Sequence, residues 1–436
     1  MTLPTITADC IIQNNREPKL LEWFFRKLIK SEDKIINLAI VGDCLYNGQI
    51  INNKITGQGK LYLYNEHIYY NLRDYNHYLV YYGNFKNGEK NGQGKGYYRY
   101  NTTYDGEWLD NLRHGYGTIS VNKHIEYTGE WRKNMKNGKG QSYARTNLLY
   151  DGDWVDDLQH GQGKVYITNQ LVYDGGFLQN QRYGQGKLYS MNKLVYDGEF
   201  AENQRHGQGV SHHTNGQINY IGEWINNKQH GQGISHHTNG QIEYEGEWEY
   251  NRYHGQGISH HINGQIEYEG EWEYNRYHGQ GISHHINGQI EYEGEWNNNE
   301  RTGQGTSYCK DGTIEYEGRW SCDRRCDRGK CKLYYNNGKI MYDGEWINEH
   351  PHGKGEWINK DGQLNYKGEW NNANRHGKGK SYLNGNLIYD GEWFEDKKHG
   401  LGIMYHKEGK ILFKGEWDNN KRSKGKSYLK DLRRKS

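Results

Sequence analysis

Histidine is the first candidate for chemistry in this chain. Among 22 copies, four adjacent pairs recur at one step: His212-His213, His236-His237, His260-His261 and His284-His285. Paired imidazoles at a regular spacing could hold a transition metal. In a strand, however, adjacent side chains point to opposite faces, so neither pair can grip one ion. Copies in successive units would stand about 10 Å apart, too far to share a metal. The first His of each pair also fills a column held elsewhere by Tyr143, Tyr166, Tyr189, Tyr308 and Tyr382, which favours a structural ring position. Cys309, Cys322, Cys326 and Cys331 could offer thiolates to zinc. Their spacing is not a pair of Cys-x-x-Cys knuckles, so a degenerate repeat without metal is the preferred reading.

Other chemistries fare worse. The Gly-x-Gly elements lead into strands and lack the helix N-terminus that would present amides to a phosphate. The Glu and Asp residues recur as surface columns, which does not support a paired-carboxylate acid and base. The periodic background contains no Ser-His-Asp or Cys-His arrangement. The sequence therefore predicts no catalytic residue, no cofactor and no enzyme.

The elements that position these residues are repeats. Tyr-x-Gly-Glu-Trp followed by Gly-x-Gly recurs, as in Tyr104-Asp105-Gly106-Glu107-Trp108 and Gly115-Tyr116-Gly117. The leading aromatic runs from Tyr46 to Phe413 in about sixteen units of mostly 23 or 24 residues, with longer gaps after Tyr46 and Tyr316. Ile242, Tyr244, Gly246 and Trp248 alternate with Glu243, Glu245, Glu247 and Glu249, a period of two that predicts one aromatic and one acidic strand face. A second strand is expected from Gly257 to His261. Ile262-Asn263-Gly264 suits a three-residue loop with a G1 bulge, and Thr168-Asn169 suits a two-residue loop. The difference in unit length then sits in the turn, and the register is kept. The column of His before Gly, such as His254, is expected to serve a turn.

These units resemble MORN repeats, whose pattern is matched by Tyr244, Gly246, Trp248, Gly255 and Gly257. The resemblance implies an all-β fold: an elongated single-layer antiparallel sheet of stacked β-hairpins. It also implies scaffolding, dimerisation or partner binding, in assemblies at membranes or the cytoskeleton.

Composition agrees with such a sheet and excludes other classes. Hydrophobic residues make up only 33%, yet there are 40 Tyr, 14 Trp and 59 Gly, whereas disordered chains are poor in aromatics. No apolar run reaches the ~20 residues of a membrane span, and none near Met1 reads as a signal peptide. A net charge of +2 gives no bias towards nucleic acid. With 6 cysteines the chain is not a disulfide scaffold. A cytoplasmic, non-secreted protein is expected.

Three segments follow: residues 1–45, the array at 46–428, and a basic tail at 429–436. Pro18 to Ala39 has the spacing of one or two amphipathic helices, which would cap the first sheet edge or dock a partner. Leu20-Leu21 through Ile35-Ile36-Asn37-Leu38-Ala39 also resembles an F-box, which would imply a substrate adaptor. Near the other end, Lys421, Arg422, Lys424, Lys426, Arg433, Arg434 and Lys435 could contact acidic phospholipid. The leading expectation is a non-catalytic scaffold binding a protein partner, or a second copy of itself, through an exposed aromatic face. Its candidate residues are Tyr220, Trp224, Tyr244, Trp248, Tyr268, Trp272, Tyr292 and Trp296.

Overall fold

A computed structural model describes residues 11–12, 38–41, 44–52, 54–63, 79–325 and 329–428. These residues form 35 strands and no helix. The chain divides into two compact units, Met1–Gly216 and Gln217–Ser436. Within each, strands pair antiparallel with their neighbours in sequence order, as in Ile242–Glu249 with Arg252–His260 and that strand with Ile266–Glu273. The expected all-β hairpin array is what the described residues form. The expected N-terminal helix falls mostly outside them, and its last residues are extended: Leu38–Val41 is a strand pairing with Ile11–Ile12 and Cys44–Ile51.

Two kinds of turn join the strands. Between Glu249 and Arg252, Tyr250 and Asn251 have φ of 48° and 68°. Positive φ at both central residues is the type I′ hairpin turn, whose twist matches the strands it connects. At the other end the His261 N–H donates to the Gln265 carbonyl at 2.8 Å, and the Gly264 N–H to the His261 carbonyl at 2.7 Å. Gly264 has φ +84°, so this is the expected three-residue loop with glycine in the left-handed position. Thr168 and Asn169, at φ 48° and 62°, form the expected two-residue loop of a shorter unit.

Two expectations about the unit need correction. Its second strand begins at Arg252, five residues before Gly257. The His-Gly pair therefore lies inside a strand, at a bulge where Glu247 pairs with His254 and Gly246 with Gly257. Gly255 takes φ +54° there, and the Glu247 carboxylate fills the space beside it, accepting the Gln256 N–H at 3.1 Å. The second correction concerns alternation. A bulge between Ser235 and His236 makes Glu243 the extra residue opposite Ser235. Glu243 consequently turns towards the aromatic face, where it accepts the Ser235 hydroxyl at 3.3 Å.

Candidate partner-binding surface

The aromatic residues form one zipper along each unit. Tyr244 stands edge-on to Trp248 at 5.2 Å and to Trp272 of the next hairpin at 5.4 Å. Tyr220 does the same between Trp224 and Trp248, and Tyr268 between Trp272 and Trp296. T-shaped pairs place a positive ring edge on a negative face. The polar atoms are used as well. The Tyr244 hydroxyl donates to the Glu247 carbonyl at 2.9 Å, and the Trp272 indole N–H donates to the Gly257 carbonyl at 3.0 Å. Each ring lies on a pair of glycines: a Cβ at Gly257 would come within 2.1 Å of the Tyr244 hydroxyl oxygen.

These rings do not form the exposed face expected from the sequence. Tyr220, Tyr244, Tyr268 and Tyr292 are 0% exposed, and their tryptophans 4–7%. What covers them is a second layer, supplied two residues after the second residue of the type I′ turn within a hairpin, such as Asn251 or Ala373. Tyr253 stacks on Tyr244 at 3.8 Å, and Tyr277 on Tyr268 at 3.8 Å. Elsewhere the cover is cationic: Arg113 lies 4.2 Å over Trp131, Arg301 4.3 Å over Trp320, and Arg375 4.2 Å over Trp393. Lys90 is part of this roof, 4.9 Å over Trp108, and burial there pulls its pKa down to about 8. The sequence contains this column, but phasing it requires the type I′ turn, which spacing from Tyr and Trp alone does not reveal.

On the opposite face, one row of cross-strand partners differs between the two units. In Met1–Gly216 the row is largely self-paired. Lys95 meets Asp105 at 3.2 Å, Lys164 meets Asp174 at 3.3 Å and Lys187 meets Asp197 at 3.3 Å. In Gln217–Ser436 the row begins Ile221, Ile234, Glu245, Ile258, Glu269, Ile282 and Glu293, each directly opposite the next. Isoleucine stands where lysine stood, so among the described residues these carboxylates have no lysine or arginine paired with them. Glu269 faces His284 Nε2 at 3.7 Å, and burial lowers the pKa of that histidine, which favours its neutral form. Glu293 accepts the Tyr308 hydroxyl at 2.7 Å. Two shallow grooves of about 820 and 810 Å³ run along the row, one lined by Ile234, Glu245 and Ile258, the other by Glu269, Ile282 and Glu293. From Glu317 onwards lysines return, with Lys332 at 3.3 Å from Glu317 and Lys380 at 3.2 Å from Asp390.

The MORN repeat family model matches fifteen segments between residues 46 and 410, including 220–242, 244–266, 268–290 and 292–314, and so covers well over half of the chain. The chain belongs to the MORN-repeat family. The last hairpin, Ile411–Asp418 with Lys421–Ser427, lies beyond these MORN matches but keeps the same register. No curated protein matches the chain. Among solved structures it is similar to a chain of the crystal structure of TcdB2-TccC3-Cdc42, at 8% identity and a TM-score of 0.13, covering 88% of this chain and 24% of that one. This chain thus spans about a quarter of that chain's length.

The remaining candidates sit at departures from the MORN pattern. Cys309 is half-buried, Cys322 is exposed in a type I′ turn and Cys331 is buried in the glycine column; Cys326 lies outside the described residues. No group of three or more His, Cys, Asp or Glu side chains among the described residues could hold a metal ion. Cys331 has a structural consequence instead. Trp320 and Trp370 donate to the Gly305 and Gly355 carbonyls, whereas the buried Trp346 N–H, whose counterpart acceptor would be residue 331, has no partner. Lys421, Arg422, Lys424 and Lys426 lie on the exposed strand Lys421–Ser427, with Arg422 5.3 Å over Phe413. Arg433, Arg434 and Lys435 are outside the described residues.

Proposed function

We propose that this protein is a non-catalytic scaffold that binds a protein partner through its MORN array, on the face opposite the rings. The observation that carries the reading is the row from Ile221 to Glu293. It is apolar and acidic, lines two grooves, and makes no ion pair with lysine or arginine among the described residues, whereas other stretches of the row in the same chain are closed by such pairs. A roofed aromatic zipper stabilises the sheet and leaves this row available to a partner. Affinity purification of tagged full-length protein from its native cells is the test, with Ile234→Ser/Ile258→Ser/Ile282→Ser beside Trp248→Ala/Trp272→Ala/Trp296→Ala. A partner lost from the serine variant while circular dichroism stays native supports the groove face. Retention by the serine variant and loss only from a folded alanine variant would return the site to the rings.

A second reading is favoured by the strand Lys421–Ser427, whose residues are all exposed and four of which are cationic. It would place acidic phospholipid at the end of the array. Sedimentation with vesicles containing phosphatidylserine, comparing the full chain with Lys421→Glu/Lys424→Glu/Lys426→Glu, tests it. Equal pelleting of the two proteins would remove it.

A further inference from the structure

The row has a spacing as well as a chemistry, and the spacing selects the occupant. Ile234, Glu245, Ile258, Glu269, Ile282 and Glu293 lie on successive strands. Neighbouring strands are ~4.8 Å apart, so carboxylates recur every ~9.6 Å with an isoleucine midway. In an α-helix, residues i and i+7 lie on one face ~10.5 Å apart, and i+3 or i+4 falls between them at ~5 Å. An extended strand also advances about 10 Å in three residues, but then the side chain points to the other face. A polyproline II segment returns to the same face every ~9.3 Å and places nothing there at the halfway point, opposite the isoleucines.

We infer that the partner segment is a basic amphipathic helix lying along the row, across the strands, with Lys or Arg every seven residues and an aliphatic side chain between them. This rests on the scaffold reading above and specifies its partner. Charge complementarity supports it. Among the described residues Glu245, Glu269 and Glu293 make no ion pair with Lys or Arg, and the row reaches its first lysine at Lys332, at the end of the second groove. Glu247, Glu271 and Glu295 stand two residues further along the same face. The latter three accept backbone N–H groups of Gln256, Gln280 and Gln304, which fixes their carboxylates in place. Mixed apolar and acidic rows reject an acidic helix by repulsion and a wholly polar one by leaving the isoleucines uncovered.

The test uses full-length protein and a fluorescent synthetic helix with Lys at i and i+7 and Leu at i+3 and i+4, measured by anisotropy. Controls are the same peptide with Glu for Lys, and a proline-rich peptide with Lys at every third position. The Lys helix should bind at least tenfold tighter than either control. Its affinity should fall at least tenfold in Glu245→Gln/Glu269→Gln/Glu293→Gln, and fall with added salt. Equal binding by the glutamine variant or by the proline-rich peptide would overturn the inference. So would sedimentation showing that the row is occupied by a second copy of this chain. The scaffold reading fails separately, when wild-type protein captures no specific partner from native cells; if wild type and the glutamine variant capture the same partner, only the helix inference falls.

Discussion

Ala373 donates its backbone N–H to the Pro351 carbonyl at 3.0 Å, and this is the only half of a two-part clamp that the pair can make. At the equivalent turn Asn275 donates to the Tyr253 carbonyl at 3.1 Å, and its side chain also accepts the Tyr253 N–H at 2.7 Å. Asn134 with Arg113 and Asp396 with Arg375 repeat both bonds. Pro351 has no N–H, and Ala373 has no acceptor. The two departures match, which identifies the clamp as a unit linking each type I′ turn to the preceding hairpin.

Restoring both groups should therefore stabilise more than either change alone. In a denaturation cycle, Pro351→Gln combined with Ala373→Asn should show a favourable coupling of about 1 kcal/mol. Strict additivity would mean that the side-chain bond contributes nothing at this turn.

Close approach of ring and backbone makes the second glycine of each unit intolerant of substitution. Gly281→Ala places a Cβ at 2.1 Å from the Tyr268 hydroxyl oxygen, and the adjoining Gly270 backbone limits relaxation. A loss of about 3 kcal/mol is expected by chemical denaturation. Tyr268→Phe should cost less, about 1 to 2 kcal/mol, because it removes only the hydrogen bonds to the Glu271 and His278 carbonyls.

The roof over the zipper should accept a cation in place of an aromatic ring. Tyr277 lies between Trp272 at 4.9 Å and Trp296 at 5.3 Å, in the column that Arg301 fills one unit later. Tyr277→Arg should stay within about 1 kcal/mol of wild type, whereas Tyr277→Ala uncovers the rings and should cost about 3 kcal/mol. Tryptophan emission should shift to the red only in the alanine variant.

Alkali should unfold the array steeply. Burial raises the pKa of Tyr104, Tyr127, Tyr150, Tyr220, Tyr244 and Tyr268 well above the usual value near 10. An unfolded chain then releases protons that the folded chain keeps, so stability is full below pH 10 and falls as pH rises towards the folded-state values. Each such tyrosine contributes a loss of about 1.4 kcal/mol per pH unit in that window. Tyrosinate absorbance and loss of circular dichroism should coincide in one transition above pH 10. Smooth ionisation of these residues in a folded protein would contradict the burial of the rings.

The hairpin, its loops and the aromatic column were legible because they repeat in phase: Tyr244, Gly246 and Trp248 alternate, and Ile262-Asn263-Gly264 has the chemistry of its turn. The bulges were not. Pairing slips by one residue at Glu243 and by two beside His254, and a strict period of two cannot indicate on which strand the extra residues lie. Tyr253 and Arg301 were missed for a related reason, since their role as a roof exists only once the type I′ turn sets which face they take. The Ile and Glu row was visible as letters, but its alternation comes from residues 11 or 13 apart, placed opposite one another only by the register.

The difference between 23- and 24-residue units, confined to the loops, has a genetic consequence. Each hairpin of the near-identical copies pairs in the same register with the one before it and the one after it, so a duplicated or deleted copy joins without a seam. Slippage between near-identical stretches such as Gln241–Glu249 and Gln265–Glu273 would then lengthen or shorten the protein in whole steps of two strands, ~9.6 Å each, leaving every retained bond intact. Selection can tune this molecule as a ruler, by counting copies instead of altering residues.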